Sequence, residues 1–120
     1  MKTFKEFLAE MAQAVSIKQG ILRRIGEEIN AITRDYHKQI PFRQIQEVID
    51  KYGYQLVQED GTPWSGFLMG GAECGSAEAS QQQATIDIVR KEDGMQMRNS
   101  LVLMWCKMPS GSYEVTAYVS

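Results

Sequence analysis

Cys74 is the side chain with the most chemistry to offer. It lies within 70–83, GGAECGSAEASQQQ, a stretch without one large aliphatic or aromatic residue. A thiol in so open a loop could act as a nucleophile, provided a nearby base or cation lowers its pKa. The one histidine, His37, stands near a helix end, where it more simply complements the dipole, and nothing in the sequence brings it to Cys74. Gly70 and Gly75 followed by Ser76 have the spacing of a phosphate-binding loop. The lysine that should precede the serine is missing, and with it the charge that such loops place on the phosphates. A closed zinc site would need carboxylates to supplement one His and two widely separated Cys, and the acidic pairs Glu27-Glu28 and Glu59-Asp60 read as solvated surface. No catalytic residue, cofactor or metal site is expected. Unstructured stretches as long as 70–83 are uncommon inside compact domains, so the loop is expected to be mobile, with Gly70, Gly71, Glu73 and Cys74 available to a partner.

The elements that must carry these residues begin with an apolar stripe. Phe4, Leu8, Met11, Val15, Leu22, Ile25, Ile29, Ile32 and Tyr36 recur in alternating steps of four and three, interrupted only at Lys18. A single helix over this span would be on the order of 50 Å long. A globule of 120 residues has a radius of gyration of about 14 Å, so an unbroken helix would project and need a partner helix. Gly20 and Gly26 each cost about 1 kcal/mol in a helix interior, and Ser16 with Gln19 fits a capping box. A break near Ser16–Gly20 is therefore favoured, with the continuous heptad helix as the alternative. Thr3-Phe4-Lys5-Glu6 is a second capping box, starting the first helix at Phe4. Because the stripe is longer than one small sheet readily covers, a homodimer is expected, with Leu22, Ile25, Ile29 and Ile32 in its seam.

Pro41 suits the first turn of a further helix carrying Phe42, Ile45, Val48, Ile49 and Tyr52 on one face, with Gly53 as its left-handed cap. The rest reads as sheet: strands over Tyr54–Gln58, Trp64–Met69, Ala84–Lys91, Met95–Met108 and Tyr113–Val119. Turns fall at Asp60-Gly61, Asp93-Gly94 and Pro109–Ser112. If Ser110-Gly111 is a two-residue turn, Lys107 lies opposite Glu114, Trp105 opposite Thr116, and Leu103 opposite Tyr118. Val102, Met104, Cys106, Val115, Ala117 and Val119 then face the helices. Leu101, Leu103, Trp105 and Tyr118 form an outer apolar patch, the expected partner-binding site. Carried through the Asp93-Gly94 turn, that register turns Asp87 inward, so a one-residue bulge near Arg98-Asn99 is expected to restore the alternation.

Net charge of −2 with both signs interspersed gives no case for nucleic acid or an anionic membrane surface. Arg23-Arg24, Arg34, His37 and Lys38 form a modest basic stripe diluted by Glu27, Glu28 and Asp35, read as a salt-bridged helix face. No run is long and apolar enough to span a membrane, the N-terminus is no signal peptide, and Cys74 and Cys106 are too few to staple a domain of this size. Free thiols in a cytoplasmic protein are the expectation, with Cys106 as a small core hydrophobe.

The opening residues MKTFKEFLAE resemble the N-termini of small proteins encoded by tailed bacteriophages, and Leu8-Ala9-Glu10 matches a pattern cut by phage assembly proteases. The resemblance implies a source and, in the host cytoplasm, a host protein as partner. The composite expectation is one α+β domain spanning residues 1–120: two to three helices over 1–53, packed on an antiparallel meander of four to five strands over 54–120. The function expected is that of a non-enzymatic protein-binding module, such as a host-takeover or anti-defence factor. The alternatives are a virion or prohead component assembling through the heptad helix, and a small hydrolase using Cys74.

Overall fold

A computed structural model describes residues 15–34, 38–66, 71–78 and 82–120. Among these residues the architecture is α+β, two helices followed by a four-stranded antiparallel sheet: α1 (Gln19–Thr33), α2 (Phe42–Lys51), β1 (Tyr54–Val57), β2 (Gln83–Arg90), β3 (Gln96–Lys107) and β4 (Tyr113–Val119). Spatial order follows chain order, β1-β2-β3-β4. The first-helix start at Phe4 and its Thr3–Glu6 box lie outside the described residues, as do the matched residues of MKTFKEFLAE.

The apolar stripe is interrupted at 15–18, around Ser16, while Gly20 already lies in the first turn of α1. Residues 15–18 are not helical, so no continuous helix runs from Phe4 to Tyr36. The expected capping box is not formed: Lys18 is the N-cap and makes no side-chain capping bond. The segment is instead stitched to β3. Val15 O accepts from Arg98 N at 2.7 Å, and Ile17 N donates to Asn99 Oδ1 at 2.8 Å. Asn99 is buried and also donates from Nδ2 to Ser120 O at 3.3 Å, so its amide does not go unpaired in the interior.

Ile25 and Ile29 are fully buried, while Leu22 and Ile32 pack half-buried on the same core. The seam is thus spent on this chain's own sheet and on α2. Of the four residues expected in a dimer seam, Ile25 and Ile29 present no surface to a sister subunit, while Leu22 and Ile32 stay partly exposed. In α2, Ile45, Val48 and Ile49 face the same core. The helix stops as the sequence indicates: Gly53 takes φ +88°, a left-handed conformation that costs glycine nothing, and its N–H returns to Asp50 O at 3.0 Å.

Of the strand expected over Trp64–Met69, residues 64–66 are not extended into a sheet, and 67–69 lie outside the described residues. After the Asp60-Gly61 turn the chain makes one bridge, Val57 to Pro63, and Trp64 N donates to Leu56 O at 3.0 Å. Helix α2 then captures the tryptophan. Phe42 meets its ring edge-on at 5.3 Å between centroids, and Gln46 Nε2 donates to Trp64 O at 2.8 Å. Gly66 follows at φ +79°, and a Cβ there would sit 3.3 Å from Phe42 Cβ.

The last hairpin corrects the sequence-based register. The pairs observed are Lys107↔Tyr113, Trp105↔Val115, Leu103↔Ala117 and Leu101↔Val119. Met108 N bonds Ser112 O at 2.7 Å, so the loop is Pro109-Ser110-Gly111, three residues rather than two, with Gly111 at φ +89°. That one residue exchanges the faces. Leu101, Leu103, Trp105 and Val115 enter the core at 0%, 0%, 5% and 5% exposure. Cys106, Met104, Glu114, Thr116 and Tyr118 occupy the other side. The outer patch expected of Leu101, Leu103, Trp105 and Tyr118 therefore does not assemble.

An irregularity does fall in β3 at 97–99, but with the opposite effect on the faces. Between Asp87↔Ser100 and Val89↔Gln96, Met97, Arg98 and Asn99 all stand against Ile88. Two extra residues preserve the alternation that one would have reversed. Ile86 and Ile88 consequently point inward and Asp87 outward, and Arg98 N–H, released from the ladder, is free to bind Val15.

Candidate functional site

The outer face of β3 and β4 brings together the residues with chemical potential. Cys106 lies directly opposite Glu114, and Met104 opposite Thr116. The incoming segment 71–76 lies along β3 beyond Gln83, where β2 begins its pairing with Met104. Lys107 N donates to Ala72 O and Cys74 N to Lys107 O, each at 2.9 Å, making a one-residue parallel bridge between Glu73 and Lys107. Gln82 Oε1 accepts from Ala72 N at 3.1 Å, and Ser76 Oγ donates to Glu73 O at 2.6 Å.

This placement brings Cys74 against Cys106, with Cα atoms 4.9 Å apart, and the two form a disulfide. Three expectations are corrected together. The thiols are not free, Cys106 is a half-buried outer-face residue rather than a core one, and the stretch around Cys74 is tied down by two backbone bonds and a covalent one. Gly71 and Glu73 are exposed beside it, while Gly70 lies outside the described residues. A sulfur held in a disulfide is no nucleophile, and Ser76, after Gly75, donates its hydroxyl within its own turn. The flanking groove, about 410 Å³, is lined by Cys74, Gly75, Ser76, Met104, Cys106 and Glu114 among others. The donor atoms of Cys74, Cys106 and Glu114 lie within 4.8 Å of one another.

The second feature is the open edge of β4. Ser100 and Ser120 exchange both backbone bonds, at 3.2 and 3.0 Å, which sets the alternation along the pair. Tyr113, Val115, Ala117 and Val119 therefore turn their N–H and C=O groups away from β3, and among the described residues no group bonds to them. Beside them runs a groove of about 380 Å³, bounded by Asn30 and Thr33 of α1 and by Arg34, the residue that caps it. Tyr118, at 43% exposure, is the exposed large hydrophobic side chain among the described residues. Sequence reasoning selected Tyr118 but missed the edge, because which β4 amides are free depends on the hairpin loop length.

The charged groups elsewhere act structurally. Glu28 on α1 accepts from both Lys51 Nζ and Tyr52 OH of the α2 terminus. These bonds hold the Glu28 carboxyl below its ordinary value, while the same carboxylate raises Lys51 and Tyr52 above theirs. Arg23 pairs with Glu27 at 3.3 Å, in keeping with a salt-bridged helix face. At the β2–β3 turn, the Arg90 guanidinium and then the Met95 N–H hold Asp93 down to about 2. Among the described residues no helix is long and apolar enough to cross a membrane. No protein-family model matches the sequence, and comparisons with curated proteins and with solved structures find no match.

Proposed function

We propose that the protein is a non-enzymatic protein-binding module whose contact surface is the β4 edge together with the adjoining outer face at Tyr118. The observation that carries this reading is the row of unpaired amides and carbonyls on Tyr113, Val115, Ala117 and Val119. Exposed edges are commonly blunted with Lys, Pro, bulges or extreme shortness. β4 runs seven residues with neither Lys nor Pro, and its single charge, Glu114, projects from the outer face. An extended segment of a partner adds to such an edge through main-chain bonds, with Tyr118 supplying side-chain contact. Given the phage-like N-terminus, the natural partner is a host protein and the role that of a host-takeover or anti-defence factor. Such docking needs no cofactor, nucleic acid or membrane.

Ala117→Pro tests the proposal. Its N–H faces away from β3, so proline there deletes a docking donor without breaking a bond of the β3–β4 ladder. A partner captured by wild type and identified by mass spectrometry should bind purified wild type directly and lose affinity for Ala117→Pro and Tyr118→Ala. Both variants should retain the wild-type circular dichroism spectrum. Equal affinity of the partner for wild type and folded Ala117→Pro refutes edge docking.

A further inference from the structure

We propose that Cys74, Cys106 and Glu114, once the disulfide is reduced, form a binding site for one thiophilic divalent cation, with Zn²⁺ the best match. The register explains the convergence. Cys106 and Glu114 are direct cross-strand partners on the outer face, and Cys74 is delivered beside them by the two bonds to Lys107. Their ligating atoms already lie within 4.8 Å of one another. A tetrahedral ion with bonds of about 2.3 Å to sulfur and 2.0–2.2 Å to oxygen needs its ligands roughly 3.5–3.8 Å apart. The carboxylate is thus within reach, and the sulfurs need only small side-chain rotations after their bond is broken. Glu114 has no ion-pair or hydrogen-bond partner among the described residues, so no internal cation competes for it. The groove beside the cluster leaves room for water as a fourth ligand.

Two thiolates with a carboxylate suit Zn²⁺ better than Mg²⁺ or Ca²⁺, which take oxygen ligands. The chemistry balances in two steps. A dithiol reductant transfers two electrons and two protons to the cystine, giving two Cys thiols and its own cyclic disulfide. The cation then displaces both thiol protons as it binds the two sulfurs and the Glu114 carboxylate. In the reduced protein the metal takes over the tether between 71–78 and β3. Metal binding at this site does not require partner docking at the β4 edge.

The test uses the full chain reduced with dithiothreitol, desalted without oxygen and titrated with Cd²⁺ or Co²⁺. The expected result is a thiolate-to-metal absorption that saturates at one equivalent, with two protons released per cation. The oxidised protein should show neither. Glu114→Gln, an exposed position that leaves the fold intact, should weaken binding by about tenfold or more, since even outer-shell partners of metal ligands are worth 10–100-fold. Cys106→Ser should abolish the one-equivalent end point. Absence of saturable binding at micromolar cation overturns the proposal. So does a Glu114→Gln titration that superimposes on wild type, including the case in which the reduced chain unfolds and its thiols bind metal without the carboxylate.

Discussion

Removing the Cys74–Cys106 bond should lower stability by an amount set by the chain it closes. The two residues are 32 apart in sequence. The loop-entropy relation, with 2.1 and 1.5R ln 32 as its terms, gives about 12 cal/mol/K, or about 4 kcal/mol at 25 °C. A domain of 120 residues has an unfolding entropy of about 250 cal/mol/K near its midpoint, so the same change moves Tm down by about 15 °C. The perturbation is either reductant or the double variant Cys74→Ala, Cys106→Ala; the assay is thermal unfolding followed by circular dichroism. Wild type with reductant and the double variant without it should melt at similar temperatures, and reductant should not shift the variant. Proteolysis should then cut first within 71–78, which has lost its covalent tether to β3. A wild-type Tm that moves by less than about 3 °C on verified reduction refutes the reasoning, since the closed loop would contribute almost nothing.

Three further outcomes concern the core, a buried acceptor and the β2–β3 turn. Trp105→Ala should destabilise by about 3–5 kcal/mol in urea unfolding, because the ring lies in the core and not on an outer patch. Asn99→Ala should cost about 1–3 kcal/mol in the same assay, since Ile17 N–H loses its buried acceptor. Asp93, held near 2 when folded against an ordinary 3.8, contributes stability that is present above about pH 4 and lost as pH falls toward 2. Asp93→Asn should therefore flatten that part of the acid unfolding profile.

Much of the architecture is legible in the sequence because it rests on local signals. Gly53 ends α2, Asp93-Gly94 turns β2 into β3, and the boundaries of β4 follow from Tyr113 and Val119. The break falls at 15–18, beside the expected Ser16, although the capping box that suggested it does not form and both Gly20 and Gly26 lie within α1. What fails is everything that depends on counting across a turn. Pro109-Ser110-Gly111 supports either a two- or a three-residue loop by composition, and that choice decides whether Trp105 or Cys106 faces the core. Trp64 reads as strand by propensity, yet Phe42 and Gln46, more than fifteen positions away, hold it against α2. The disulfide was hidden for the same reason: two cysteines reveal their pairing only when Cys106 is placed on the outer face and Lys107 anchors Ala72 and Cys74.

The bond from Ile17 N to Asn99 Oδ1 spans 82 residues. At about 5–20 residues per second, a ribosome takes on the order of 4 to 16 s to produce Asn99 after Ile17. During that interval α1 and α2 can form and touch, but the strands that cover Ile25 and Ile29 do not yet exist. The nascent chain therefore carries an exposed isoleucine stripe that a holdase chaperone could occupy. The 15–18 segment can close only after β3 emerges, paying loop entropy for a contact of long sequence separation. Codon choice or pausing between α2 and β3 should consequently affect the yield of folded protein more than the same pausing after Ser100.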